Sequence, residues 1–243
     1  MAGRVDIQKI TASREVLRKI LHKRNYNVDT YPKYSEVEVK KLFEIGGDSD
    51  QSAELCNFSV PHNDFPEWKL HILYYNFPPA TPNISQKPLK TFIKDCLEAN
   101  NPEDNIIIIL PANIKAAEAT YTNWINTINM ELEKPTTSPL ATQITASTDY
   151  STRHLTNVHI FNINALCINI LEHEYVPEHN VITNNTVIKD IMDKNYISNK
   201  SQFPVILKSD PVAKVLGIIP GDIVKIERSS STSGLSNFYR LCK

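Results

Sequence analysis

The sequence predicts an α+β protein in which a larger α/β domain precedes a small α+β domain. The residues from Asn105 to Leu110 form a continuous apolar run bounded by polar residues, which is typical of a strand buried on both faces. Apolar residues between Leu89 and Leu97 repeat at helical spacing and predict an amphipathic helix before that strand. From Ile223 to Arg228 apolar and charged residues alternate instead, which indicates a half-buried strand.

The composition is that of a folded protein with one or two domains. The chain has 243 residues, of which 41% are apolar and 22% are charged. Its formal net charge of −1 excludes a protein that binds nucleic acid mainly through bulk positive charge. No run approaches the roughly 20 apolar residues of a membrane span, so no membrane partner is expected. Scattered cysteines favour single thiols over a zinc ribbon or a disulfide framework: Cys56, Cys96, Cys167 and Cys242.

The first domain is predicted to alternate helices and strands. Apolar residues from Ile7 to Leu21 keep helical spacing, and the Ser35-to-Glu38 segment forms a capping-box pattern before a second short helix. Strands are predicted from Leu55 to Val60 and from Leu70 to Tyr75, and a further helix from Ile114 to about Glu133. This alternation is typical of an α/β domain.

The segment between the two predicted domains is rich in threonine and serine. Residues 135–152 can bury little apolar surface, so they are interpreted as a loop or linker. Apolar residues resume at Val158, which we interpret as the entry to the second domain. The boundary is therefore predicted near Leu155, with domains at residues 1–154 and 155–243.

The stretch from Leu207 to Lys243 contains several residues that control backbone geometry. Asp210 before Pro211 predicts a helix start, because a carboxylate accepts from the free N–H groups of a first turn. Gly217 is expected to end that helix in the left-handed conformation, and Gly221 to occupy a turn. A strand, a polar loop and a second strand complete the unit. The stretch contains no plausible set of reacting groups and therefore indicates a docking module.

Several short motifs occur in a fixed order in this second domain. They are His173-Glu174, Val176-Pro177-Glu178-His179, Ser209-Asp210-Pro211-Val212-Ala213, Gly217, Gly221, Val224-Lys225-Ile226, Arg228, Gly234 and Tyr239-Arg240-Leu241. In this order and spacing they resemble the C-terminal domain of the fifth subunit shared by eukaryotic nuclear RNA polymerases, which has a homologue in archaea. This chain departs from the family in one loop. Residues 228–232 read Arg-Ser-Ser-Ser-Thr, where the family usually has Arg-Pro-Ser-Glu-Thr.

The first half resembles, more loosely, the jaw domain that eukaryotic-type members of that family have and archaeal members lack. The matches are Lys23-Arg24-Asn25-Tyr26, the His62-Asn63-Asp64 turn, and Lys90-Thr91 ahead of the apolar strand. The resemblance implies a restriction-endonuclease-like architecture without activity. The family's Thr-Pro-Ser-Ala loop, which lies toward downstream DNA in relatives, is replaced here by residues 113–117, which read Asn-Ile-Lys-Ala-Ala.

The resemblance implies a non-catalytic subunit of a multisubunit DNA-dependent RNA polymerase. The second domain is expected to dock on the largest subunit, and the first to form part of the lower jaw beside downstream duplex DNA. No catalytic, metal or cofactor site is expected, because nucleotide addition uses a carboxylate triad of the large subunit. A cellular member would act in the nucleus, and a member from a large DNA virus in the virion and the infected-cell cytoplasm. The residues implied in docking are His173, Glu174, Pro177, Glu178, His179, Asp210, Pro211, Gly217, Gly221, Arg228, Gly234, Tyr239 and Arg240.

Basic residues on the predicted helices form a candidate DNA-facing set. Lys87, Lys90 and Lys94 recur at spacings of three and four, opposite an apolar helix face. Contacts of this kind would reach the phosphate backbone and depend on salt without reading sequence. A solvated helix face is the alternative interpretation. The full candidate set is Arg14, Arg18, Lys23, Lys87, Lys90, Lys94 and Lys115.

Parts of the sequence also match motifs of other functions. His173 and His179 partly match a zinc-hydrolase motif, but Pro177 lies between them, so one helix face cannot present both. Asp64 and the segment Glu67-Trp68-Lys69 partly match the metal-binding pattern of nucleases, which makes a divergent metal-dependent nuclease the alternative function. A free-standing transcription adaptor with the same docking domain is a third hypothesis.

Overall fold

The structure is a computed structural model that describes residues 2–46, 53–75, 77, 86–99, 104–111, 158–230 and 234–243. The chain forms two compact units, Met1–Ile168 and Asn169–Lys243. Both units combine helices with a sheet, so the predicted α+β class is confirmed. The division lies later along the chain than the boundary predicted near Leu155, because the strand Val158–Asn162 pairs with the sheet of the first unit.

The first unit contains three helices and a mixed four-stranded sheet among its described residues. Its strands have the order β1-β2-β3-β4, with β1 antiparallel to β2 and with β2, β3 and β4 parallel to one another. The elements are α1 (Ala2–Lys23), α2 (Glu36–Gly46), β1 (Phe58–Pro61), β2 (Lys69–Tyr74), α3 (Gln86–Ala99), β3 (Asn105–Leu110) and β4 (Val158–Asn162).

The core of the first unit lies around β3. Residues Ile106 to Leu110 are at most 1% exposed, which confirms the strand predicted to be buried on both faces. On one face Leu89 and Ile93 of α3 pack in a cluster with Ile106 and Ile108. The alternating side chains of a strand point to opposite faces, so a strand with apolar residues at every position requires cover on both.

Local signals account for the ends of several elements. The Glu38 carboxylate accepts from the Ser35 main-chain N–H at 2.7 Å, and Ser35 Oγ accepts from the Glu38 N–H at 3.4 Å, so the predicted capping box is confirmed. The strand predicted from Leu55 was wrong at its start, since Glu54–Cys56 is a turn of 3-10 helix and β1 begins at Phe58. The helix predicted at residues 114–133 and the loop or linker at 135–152 lie outside the described residues.

The second unit is a four-stranded sheet covered by a helix on each face. Its elements are β5 (Glu178–Ile182), α4 (Asn185–Lys194), β6 (Val205–Ile206), α5 (Pro211–Leu216), β7 (Ile223–Ser230) and β8 (Gly234–Cys242). The strand order is β5-β7-β8-β6. Ala213 of α5 packs with Val224 and Ile226, whereas Ile188 of α4 packs with Ile223 and Leu241. In the described part of the chain, no helix is long and apolar enough to cross a membrane.

Candidate functional site

Helix α5 of the second unit has both of its predicted caps. Asp210 Oδ1 accepts from the main-chain N–H groups of Val212 at 2.9 Å and Ala213 at 3.2 Å. Pro211 occupies the first turn, where its missing donor costs no intrahelical bond. Gly217 has a φ of 69°, and the following N–H, of Ile218, returns to the Ala213 carbonyl oxygen at 2.9 Å. These residues set the start and the end of the helix.

The turn after α5 is attached to the end of the last strand. Gly221 has a φ of 96°, and its N–H donates to the Cys242 carbonyl oxygen at 3.0 Å. The Cys242 N–H in turn donates to the Asp222 carbonyl oxygen at 2.8 Å. The buried Asp222 also accepts from the Ile219 N–H through Oδ2 at 3.2 Å. The sequence signal for this turn is Pro220-Gly221-Asp222, in which an acid directly after Pro-Gly can bond the turn backbone.

The β7-β8 hairpin carries four of the predicted docking residues in different environments. Gly234, at a φ of 68°, lies opposite Ser230, and the residues between them lie outside the described ranges. The Arg228 guanidinium lies 5.3 Å from the centre of the Phe238 ring, and this residue is exposed. Half-buried Arg240 donates to the Val205 carbonyl oxygen at 3.1 Å, whereas Tyr239 pairs across the hairpin with Lys225.

The segment from His173 to His179 forms a turn, exposed at residues 173–175, and continues into the first two residues of β5. The Val176 N–H donates to the His173 carbonyl oxygen at 2.9 Å, and His179 Nδ1 lies 2.7 Å from the Pro177 carbonyl oxygen. A carbonyl oxygen can only accept, so this nitrogen of His179 carries the proton. The side chain of Tyr175, which sequence reasoning did not select, is 83% exposed. Both histidines thus help to shape the turn.

The predicted docking residues therefore divide into three groups. Asp210, Gly217, Gly221, Gly234 and Arg240 form backbone turns or bonds to the backbone within the unit. His173, Glu174, Glu178, Pro211 and Arg228 are exposed, and Pro177, His179 and Tyr239 are half-buried. Only the exposed group has side chains that are largely available to another protein.

The structure corrects the prediction for Arg14. This residue is 2% exposed, so it cannot face DNA. Its guanidinium donates to the carbonyl oxygens of Cys56 at 2.8 Å and Pro32 at 2.7 Å. It also lies 4.6 Å from the ring centre of Phe58 and 4.7 Å from that of Tyr34. Carbonyl dipoles and aromatic faces replace the water that this cation loses on burial.

Most of the other basic candidates remain on the surface. Lys23 is exposed in the last turn of α1, and Arg18 lies 3.8 Å from the Glu15 carboxylate. Lys87 and Lys94 are exposed on α3 and Lys90 is half-buried, so these three residues share one helix. Lys115 lies outside the described residues.

The residues of the nuclease hypothesis occupy one turn and the start of one strand. Asp64 and exposed Glu67 both lie in the turn between β1 and β2, and Lys69 begins β2. Asp64 Oδ2 accepts from Asn25 Nδ2 at 2.6 Å, which attaches this turn to the end of α1. Among the described residues, no group of three or more histidine, cysteine or acidic side chains could hold a metal ion. The turn geometry does not place Asp64 and Glu67 on neighbouring strands.

Comparisons with known proteins agree with the motifs of the second unit. The family model described as RNA polymerase Rpb5, C-terminal domain, matches residues 168–242. A protein of Methanosarcina acetivorans named DNA-directed RNA polymerase subunit Rpo5 is 42% identical over 72 residues, which are 30% of this chain and 90% of that protein. Subunit Rpo5 of Thermococcus kodakarensis is 41% identical over 73 residues, or 30% of this chain and 87% of that protein.

The match to another similar protein is long enough to extend into the first unit. This protein comes from Dictyostelium discoideum and is named DNA-directed RNA polymerases I, II, and III subunit rpabc1. The two chains are 28% identical over 154 residues, which are 60% of this chain and 76% of that protein. The similarity to this eukaryotic protein is therefore longer than the similarity to the archaeal proteins, and weaker.

Proposed function

This chain belongs to the family of the fifth subunit of DNA-directed RNA polymerases, and we propose that it docks on the largest subunit through its second unit and places its first unit in the lower jaw beside downstream DNA. It is a non-catalytic component of a multisubunit RNA polymerase, and other subunits of that polymerase are its partners. Catalysis of nucleotide addition belongs to other subunits of the complex.

The length of the archaeal relatives is the observation that carries the docking proposal. The 72 matched residues make up 90% of the Methanosarcina protein, so the second unit corresponds to nearly all of that subunit. A mode of attachment shared across the family must then use surfaces that the second unit contains. The rigid caps and turns of this unit support that role, because a surface that is already ordered loses less entropy when it binds.

The turn at residues 173–175 is the part of this surface that we assign to the largest subunit. His173, Glu174 and Tyr175 are all exposed, and the turn is closed by the bond from the Val176 N–H to the His173 carbonyl oxygen. Tyrosine is enriched among the residues that dominate binding energies, since its ring buries a large area at a small entropic cost. An exposed tyrosine on a closed turn fits such an anchor.

Co-purification tests this assignment. A tagged full-length chain carrying Tyr175→Ala or Glu174→Lys is expected to recover several-fold less of the largest polymerase subunit than the unchanged chain. Lys194→Ala, an exposed change on α4, is the matched control and is expected to recover the unchanged amount. Quantitative mass spectrometry of the co-purifying chains gives the readout. Full recovery by both turn variants would remove the turn from the interface and leave the family membership intact.

The lysines of α3 support a position of the first unit near DNA. Lys87, Lys90 and Lys94 lie on one helix whose opposite face packs Leu89 and Ile93 into the core. Lysine contacts to phosphates release counterions, so the logarithm of the binding constant falls with the logarithm of salt by about 0.9 for each contact. A polymerase assembled with Lys87→Glu and Lys94→Glu is expected to bind downstream duplex DNA more weakly and with a smaller salt slope.

The control for that experiment uses another helix of the same unit. Lys40→Glu and Lys41→Glu change exposed lysines on α2 by the same charge. We expect this pair to leave the salt slope unchanged. Equal effects of the two pairs would indicate a response to total charge, and the helix would then carry no specific DNA contact.

An endonuclease-like architecture for the first unit is supported by its strand directions. An antiparallel pair, β1 and β2, is followed by two parallel strands in the same sheet. We infer that the unit uses this architecture without nuclease activity, because Asp64 bonds to Asn25 in a turn. Metal-dependent cleavage of duplex DNA that is lost in Asp64→Ala would contradict this inference and support the nuclease alternative.

The compartment follows from the polymerase that the chain joins. Assembly with nuclear polymerases places it in the nucleus, whereas assembly with the polymerase of a large DNA virus places it in the virion and the infected-cell cytoplasm. The set of large subunits that co-purify with the tagged chain distinguishes these two locations.

A further inference from the structure

Three polar side chains form a hydrogen-bonded chain across the sheet of the first unit. Ser59 Oγ lies 2.7 Å from His71 Nδ1, and His71 Nε2 lies 3.1 Å from Asp104 Oδ2. Ser59 of β1 and His71 of β2 are direct partners in the antiparallel register. Asp104 immediately precedes β3, which runs parallel to β2. The pairing of three strand segments thus joins a hydroxyl, an imidazole and a carboxylate.

The carboxylate sets the orientation of the histidine ring. Asp104 is 3% exposed, and its Oδ1 accepts from the Lys69 main-chain N–H at 2.8 Å. A carboxylate accepts hydrogen bonds, so the proton of the neutral imidazole lies on Nε2, next to Asp104. The lone pair of Nδ1 is then directed at the hydroxyl of Ser59.

The chain of groups leads from the protein interior to the surface. Asp104 is buried, the His71 side chain is 13% exposed, and Ser59 is exposed. Ser59 lies on β1, the first strand in the order of the described sheet. The hydroxyl is therefore accessible to a small molecule from solvent, whereas the groups behind it are shielded.

We propose that Ser59 is a nucleophile toward small activated acyl esters, that His71 is its general base and that Asp104 is a positioning residue. A serine within hydrogen-bond reach of a base that a third group orients is the arrangement that activates hydroxyl nucleophiles. This activity is additional to the role of the chain in the polymerase.

The proposed reaction balances without any further reagent except water. Ser59 Oγ forms a bond to the carbonyl carbon of the ester while its proton moves to His71 Nδ1. The bond from that carbon to the leaving oxygen then breaks, and the leaving group takes the proton from His71. Water attacks the acyl-serine in the same way, which releases a carboxylic acid and restores Ser59. Asp104 remains a carboxylate throughout and stabilises the imidazolium.

Covalent labelling of the full-length chain tests the proposal. We expect an alkyl fluorophosphonate to add once, with the adduct located on Ser59 by peptide mass spectrometry, and 4-nitrophenyl acetate to be hydrolysed. Ser59→Ala is expected to abolish both, and His71→Gln to slow labelling by about 100-fold. Ser35→Ala is the matched control and is expected to change neither, because Ser35 Oγ lies next to the Glu38 carboxylate and not next to an imidazole.

The concentration dependence of the labelling rate tests the positioning role of Asp104. Asp104→Asn is expected to lower the labelling rate at saturating probe without changing the probe concentration that gives half of that rate. A purely structural role would instead move the melting temperature alone. An unlabelled wild-type chain, an adduct on other serines, or an unchanged labelling rate in folded His71→Gln would overturn the proposal. The first two outcomes require no variant and leave the polymerase assignment untouched.

Discussion

The guanidinium of Arg14 donates a 2.8 Å hydrogen bond to the main-chain carbonyl oxygen of Cys56. A second nitrogen donates to the Pro32 carbonyl oxygen at 2.7 Å, so one side chain from α1 joins two loop segments that are distant in sequence. The rings of Phe58 and Tyr34 lie against the same cation. Arg14 is therefore buried away from the surface, and these contacts favour a structural role for it in the first unit.

Arg14→Met is expected to lower the free energy of unfolding of the full chain by roughly 2–4 kcal/mol, because two carbonyl oxygens lose a charged donor. Urea unfolding gives the measurement. Lys40→Met is the control, since Lys40 lies 3.8 Å from Glu44 on the surface and is expected to cost about 0–1 kcal/mol. A loss of similar size in both variants would contradict the stabilising role of Arg14.

Gly217→Val is expected to destabilise the second unit by about 1–2 kcal/mol or more, because a β-branched residue is strained at the observed φ of 69°. Thermal unfolding measures this loss. Asparagine adopts the left-handed conformation more easily, so Gly217→Asn is expected to retain more of the stability than the valine variant. Equal melting temperatures for Gly217→Val and the unchanged chain would show that the helix end tolerates another conformation.

Asp210→Ala is expected to cost about 1 kcal/mol, because the N–H groups of Val212 and Ala213 lose their acceptor. Asp210→Asn keeps a side-chain oxygen at the same position and serves as the control. We expect its midpoint in urea to remain close to that of the unchanged chain. If the alanine variant also kept that midpoint, the cap would contribute little to stability.

The stability of the first unit is expected to fall at alkaline pH through Cys56. Burial raises the pKa of the Cys56 thiol from 9.0 to about 11, although the nearby Arg14 charge acts in the opposite direction. Between these values the unfolded thiol loses its proton while the folded thiol keeps it. The stabilisation that the Cys56 thiol contributes is thus fully present below pH 9 and is lost as the pH rises through about 11.

Cys56→Ala removes this contribution. Above pH 9 the free energy of unfolding of this variant is expected to fall less steeply than that of the unchanged chain. The two slopes are expected to differ by up to about 1.4 kcal/mol per pH unit. Val60→Ala also creates a cavity in the buried part of β1 but removes no titrating group, so its curve is expected to run parallel to that of the unchanged chain. Parallel curves for all three proteins would contradict the raised pKa of Cys56.

Several elements follow from residues that are close together in sequence. The caps of α5 at Asp210 and Gly217 and the capping box at Ser35 depend on bonds across only a few residues, and the structure confirms all three. The apolar run of β3 likewise indicates its own burial. The predicted start of the preceding strand was wrong, because Leu55 belongs to a 3-10 turn that a short apolar run does not distinguish from a strand.

The family can be identified without the structure, since the motifs that define it are local and ordered along the second unit. The same holds for the turns and helix ends, where a single residue controls φ or supplies a cap. Only the fold shows which polar side chains face solvent and which are buried, as Arg14 is. Only the fold also shows which polar side chains meet, as Ser59, His71 and Asp104 do. The partners of these groups come from strands and loops that are distant along the chain, and strand pairing and packing bring them together.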